Sequence, residues 1–133
     1  MANPVPNDEF KLQQSTSGEA RILSLSGYLG NAEFREVAKV LAQLLEQKQR
    51  QVVLDLAALS FTTSVSLARF LVCGREFQRH GGQLKIAGLS PWLTRLAGMA
   101  GFARKDFEPD VEVAVQRMAQ GIKVTPRLAK NRK

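Results

Sequence analysis

The chain has 133 residues, 44% hydrophobic and 23% charged, enough for one domain with a real core. No apolar run approaches the roughly 18–20 residues of a membrane span, and a single cysteine, Cys73, excludes an internal disulfide. The formal net charge of +7 does not mark a folded basic face: Lys123, Arg127, Lys130, Arg132 and Lys133 lie beyond residue 120, and residues 1–120 without them carry +2.

Residues 1–8 read as a flexible N-terminus without the basic start and apolar stretch of a secretory signal, so a reducing cytoplasm is the expected location. Glu9 to Ser15 alternates apolar and polar and predicts a strand. Ser17-Gly18-Glu19 is turn chemistry, and Ala20 to Ser26, built on Ile22, Leu23 and Leu25, predicts the second strand of a hairpin. Gly27-Tyr28-Leu29-Gly30-Asn31 then breaks the pattern. From Ala32 to Gln47, Phe34, Val37, Ala38, Leu41, Leu44 and Leu45 fall at helical spacing, with Arg35, Glu36, Lys39, Gln43 and Glu46 on the other face.

Val52 to Leu56 barely alternates, the mark of a strand buried on both faces. The hydroxyl-rich stretch Ser60-Phe61-Thr62-Thr63-Ser64 reads as a turn opening a helix from Ser64 to His80, with Leu67, Phe70, Leu71, Gly74 and Phe77 on one stripe. The first N–H groups of a helix lack intrahelical partners, so this is a seat for a capping side chain and equally for a phosphate. Gly81-Gly82 stops the helix, and His80 reads as a C-terminal cap. Gln83 to Gly88 is the next strand. Ser90 caps a third helix with Pro91 at its first position, and Leu89, Leu93, Leu96, Ala97 and Ala100 form its inner stripe before Gly101. Trp92 lies off that stripe and shares a face with Arg95 and Met99, residue types favoured at interface cores. A brief strand near Phe107 and a helix from Asp110 to Ala119, carried by Val111, Ala114, Val115 and Met118, complete a domain of residues 9–120. Residues 121–133 form a basic tail, expected to be disordered and solvating, with nucleic acid the lesser reading. The order β-β-α-β-α-β-α-β-α predicts an α/β domain with parallel pairing and right-handed crossovers.

Catalytic chemistry is missing from the pattern. There is no Cys/His cluster at zinc spacing, no carboxylate cage and no phosphate-binding glycine loop. A serine hydrolase would need a nucleophile elbow and a late histidine, and neither stands in the chain. The expectation is therefore a binding protein, not an enzyme, with no catalytic residue, cofactor or metal.

From Leu54-Asp55-Leu56 through Gly101-Phe102 the chain resembles the STAS domain of bacterial anti-sigma factor antagonists. That family's frame "hydrophobic-Ser-Phe-x-Asp-Ser-x-Gly-Leu" stands here as Leu59-Ser60-Phe61-Thr62-Thr63-Ser64-Val65-Ser66-Leu67. Its Gly-Gly, strand and "Ser-Pro-x-Val-x-x-x-Leu" stand as Gly81-Gly82-Gln83-Leu84-Lys85-Ile86-Ala87-Gly88-Leu89 and Ser90-Pro91-Trp92-Leu93-Thr94-Arg95-Leu96. The family's "Gly-x-Leu-Asp" appears as Gly27-Tyr28-Leu29-Gly30. Three positions depart from the pattern: Thr63 replaces an acidic residue, Ser66 a glycine and Gly30 an aspartate. The resemblance implies a four- to five-stranded mixed sheet with about four helices on one side. It also implies a phosphoacceptor at Ser64, with Thr63 and Ser66 as alternates. The expected partner surface is Gly30, Asn31, Thr62, Thr63, Ser64, Val65, Ser66, Arg69 and Trp92. The expected partners are a kinase-type anti-sigma factor and a metal-dependent serine phosphatase, with no direct sigma factor contact, no nucleic acid and no membrane span. The alternative is a non-phosphorylated scaffold or adaptor in a larger complex, such as a stress-signalling assembly or a lipid transporter.

Overall fold

A glycine turn closes the first hairpin. Strand β1 (Lys11–Ser17) pairs antiparallel with β2 (Ala20–Leu29), from Lys11↔Ser26 to Ser17↔Ala20 around the Gly18-Glu19 turn. The computed structural model describes residues 9–103 and 106–120, so the expectations for residues 1–8 and 121–133 lie outside the described residues. Helix α1 (Asn31–Glu46) leads to β3 (Gln51–Thr62), α2 (Ser64–Arg79) to β4 (Gln83–Ala87), and α3 (Pro91–Met99) to the short β5 (Phe107–Glu108). A fourth helix, α4, spans residues 111–120.

The five strands lie in chain order, β1-β2-β3-β4-β5, with β2 to β5 parallel. Each crossover advances the sheet by one strand in the same direction, and crossovers of one hand, as the rule for parallel strands requires, place α1, α2 and α3 on one face. There Leu23, Leu54 and Ile86 meet Val37, Leu41, Leu67, Phe70, Phe77, Leu93 and Ala97 in the main core.

The fourth helix departs from the one-sided expectation. Ala114 and Met118 of α4 pack on Ala20, Ile22, Val53 and Ala87, the residues that alternate with the main core and so face the opposite side. Asp110 caps this helix, its Oδ1 accepting from Val113 N–H at 2.9 Å. Glu108 ties it to the sheet, with Lys85 Nζ at 3.3 Å and Arg117 Nε at 3.3 Å from its two oxygens. This back-face helix is why Val52, Val53 and Leu54 are all fully buried, as their lack of alternation predicts.

Two strands run further than their sequence patterns indicate. β2 continues through Gly27 to Leu29, and β3 continues past Leu56 to Thr62, so Ser60, Phe61 and Thr62 are strand and not turn. The extensions pair with each other alone, because the β3–β4 ladder ends at Asp55↔Ala87. The register shifts at Ser24/Ser26 and Gly27/Tyr28 each insert an extra residue into β3 and break its period of two, while in β2 Gly27 takes φ +83°, which only glycine adopts at little cost. Alternation lost at a bulge reads as the end of a strand.

Candidate functional site

A parallel sheet built this way brings the starts of α1, α2 and α3 to one edge, beyond the carboxyl ends of β2, β3 and β4. Leu29-Gly30-Asn31, Thr62-Thr63-Ser64 and Ser90-Pro91-Trp92 stand there side by side. Every residue expected at the partner surface belongs to these junctions or to the first turns of α2.

The hydroxyl groups divide cleanly. Thr62 is fully buried, and its Oγ1 donates to the Leu29 carbonyl at 2.8 Å, locking the ends of the two extended strands together. Thr63 is the N-cap of α2: its Oγ1 accepts from Ser66 N–H at 3.1 Å and lies 3.3 Å from Ser66 Oγ. Ser66 is 0% exposed. Ser64, at the first position of the helix, is partly exposed, and its hydroxyl has no hydrogen-bond partner among the described residues. Two expectations are corrected by this geometry. Ser66, as an alternate acceptor or a contact, and Thr62, as a contact, offer no surface, because each hydroxyl is turned inward to satisfy a strand end or a helix cap.

Asn31 and Arg69 do come together across the two helix starts, with Arg69 donating to Asn31 Oδ1 at 3.3 Å while its guanidinium sits 5.5 Å above the Phe34 ring. Val65 projects outward from the first turn of α2. Gly30 is buried for a reason its type conceals. A Cβ there would stand 2.8 Å from Tyr28 Cε2 and 3.0 Å from Glu33 Oε1, so the absent side chain makes room for the Tyr28 ring. Glu33 in turn accepts from the Gly30 N–H at 3.0 Å and closes the start of α1.

That ring begins a feature missed in the sequence. Tyr28 stacks on Phe61 at 5.5 Å with an interplanar angle of 3°, and Phe61 stacks on Trp92 at 5.4 Å and 28°. The ladder joins the ends of β2 and β3 to the start of α3, and each pair contributes about 0.5–1.5 kcal/mol. The available signal was positional: each aromatic stands at a strand end or helix start on one sheet edge. Reading Gly27–Asn31 and Ser60–Ser64 as breaks hid it.

Elsewhere the reactive side chains have structural roles. His80 is the C-cap of α2, its Nδ1 2.9 Å from the Glu76 carbonyl. Burial, with a smaller contribution from Glu76, pushes the Cys73 thiol above its ordinary pKa, away from nucleophilic use. Among the described residues no helix is long and apolar enough to cross a membrane.

A family profile described as "Mlab, STAS domain" matches residues 12–113. BtrV of Bordetella bronchiseptica, described as a candidate anti-sigma factor antagonist, is 27% identical over 81 residues, covering 61% of this chain and 70% of that protein. The crystal structure of an anti-sigma factor antagonist from Mycobacterium paratuberculosis superposes with a TM-score of 0.74 at 16% identity, over 84% of this chain and 96% of that one. The phosphorylated form of the Bacillus cell fate determinant SpoIIAA gives 0.63 at 18% identity, over 82% and 98% of the two chains. At these identities the two structural likenesses speak to fold.

Proposed function

The chain belongs to the STAS domain family, and from that premise we propose that it is an anti-sigma factor antagonist working by exchange of partners in the cytoplasm. Unmodified, it docks the Ser64 turn and the first half of α2 onto a kinase-type anti-sigma factor, which then lets go of its sigma factor. That kinase transfers phosphate from its own ATP to Ser64, and the contact ends. A metal-dependent serine phosphatase removes the phosphate and restores binding. The chain itself catalyses no step and touches no sigma factor.

One observation carries this reading: within Thr62–Ser66, Ser64 is the hydroxyl left without a structural task, while Thr62, Thr63 and Ser66 are each committed. Phosphate would add about −1.5 to −2 charges there. The N-terminal dipole of α2 accommodates the anion, and the Thr63 cap stays intact beneath it. The fold therefore survives modification while the surface offered to a partner changes sign. A device of this kind blocks an interface without unfolding its owner.

The uncharged cap supports a second reading. Thr63 closes α2 by itself where the family frame has an acid, which also suits a scaffold that is never phosphorylated. Incubation with ATP and the kinase-type anti-sigma factors of the same organism, followed by intact-mass and fragment analysis, separates the two. A single phosphate on Ser64, absent in Ser64→Ala, is the expected result. No phosphate with any active kinase leaves the scaffold.

A further inference from the structure

The five large hydrophobic side chains that stay exposed among the described residues are Phe61, Val65, Val72, Trp92 and Met99. Phe61 is the middle rung of the aromatic ladder, and the other four belong to α2 and α3. On α2, Val65, Arg69 and Val72 follow at i, i+4 and i+7; on α3, Trp92, Arg95 and Met99 follow at i, i+3 and i+7. Each set is one outward stripe. Both helices start at the carboxyl edge and run the same way, so at about 1.5 Å per residue their rungs match in depth. Val65 and Trp92 stand at the top, Arg69 and Arg95 about 4.5–6 Å lower, and Val72 and Met99 about 10 Å down. Val72 is 60% exposed and Met99 80%, too much for either to serve the core.

Charge indicates what covers this face. α2 and α3 carry Arg69, Arg75, Arg79 and Arg95 against a single acid, Glu76, which lies below the lowest rung and pairs with Arg79. A second copy docked face to face would set these arginines against themselves. A protein surface with carboxylates between apolar side chains would meet both rows, since buried aromatic, Met and Arg groups are typical of interface centres.

We propose that the docking surface extends beyond the Ser64 turn, down the paired valine–arginine and tryptophan–arginine–methionine stripes of α2 and α3, and that the partner answers with acidic groups set between apolar ones. This rests on the partner-exchange reading and names the partner's chemistry at that site.

The test measures binding of the full-length chain to the purified kinase-type anti-sigma factor that phosphorylates it. The double variant Val72→Asp, Met99→Asp is expected to bind about tenfold more weakly or worse. Arg95→Glu is expected to associate more slowly and with less salt dependence. All three side chains are exposed, so circular dichroism should match the wild type. Wild-type affinity in the double variant, with binding still lost in Ser64→Asp, overturns the extended surface and leaves the partner-exchange reading standing. Failure of the unmodified wild type to bind any such kinase overturns both. Sedimentation of the wild type, but not the double variant, with phosphatidylglycerol vesicles would assign the face to a membrane and overturn the protein partner.

Discussion

Thr63 and Ser64 are adjacent hydroxyl residues with opposite employment, and the difference is geometry, not chemistry. Thr63 has extended backbone at φ −117°, ψ 160° and turns its oxygen onto the Ser66 N–H. Ser64, one residue on, is already helical, and its oxygen takes no part in that work. Thr63→Ala should therefore lower stability by about 1 kcal/mol in urea unfolding, whereas Thr63→Asp, an equally good cap, should not. If both variants are as stable as the wild type, Thr63 is not the cap that frees Ser64. The seat of a cap was legible in Ser60–Ser64 from its hydroxyl density alone. Which hydroxyl remained free was not, because that depends on the Leu29 carbonyl, thirty-three residues upstream of Thr62. Ser66 shows the same limit: its burial follows from facing the sheet in the first turn of α2, which no local pattern announces.

At the scale of elements, the helices were readable nearly to the residue. α1 begins at Asn31 and α3 at Pro91 behind its Ser90 cap, because apolar periodicity and capping chemistry are local signals. The strand ends were not readable, since β2 and β3 extend by pairing with each other across bulges, a contact between segments more than thirty residues apart. The same extension brings Tyr28 and Phe61 into register, Tyr28↔Phe61, and so builds the ladder. Gly30 is its hinge point. Gly30→Asp, which restores the family's usual residue, should push the Tyr28 ring off its seat, since the new Cβ lies 2.8 Å from Cε2. The expected readout is a changed near-ultraviolet circular dichroism signal from Tyr28 and Trp92 with the far-ultraviolet signal retained. An unchanged aromatic signal would mean that the ladder does not depend on the missing side chain.

For the molecule as a whole, a mixed five-stranded sheet with four helices follows from the order of periodic segments, as the sequence frame implied. The side taken by the last helix does not. α1 to α3 are crossovers and must share a face, but α4 follows the last strand and is free to take either. The clue was present in Val52-Val53-Leu54, whose unbroken hydrophobicity requires cover on both faces. Met118, 1% exposed on the back-face cluster, gives the test: Met118→Ala should cost about 2–5 kcal/mol of unfolding free energy. A negligible cost would mean that α4 does not cover the sheet. This two-sided burial leaves the carboxyl edge and the outward faces of α2 and α3 as the surfaces with exposed large hydrophobic side chains among the described residues. A rigid body with one such surface suits a regulator whose contact is governed at a single side chain.

The most direct measurement of that claim is the affinity of the unmodified, Ser64→Ala and Ser64→Asp proteins for the same purified kinase-type anti-sigma factor, by calorimetry. The first two should bind alike, and Ser64→Asp should lose about tenfold or more through charge placed at the contact. Equal affinity for Ser64→Ala and Ser64→Asp would contradict the account, because a negative group at Ser64 would then control nothing.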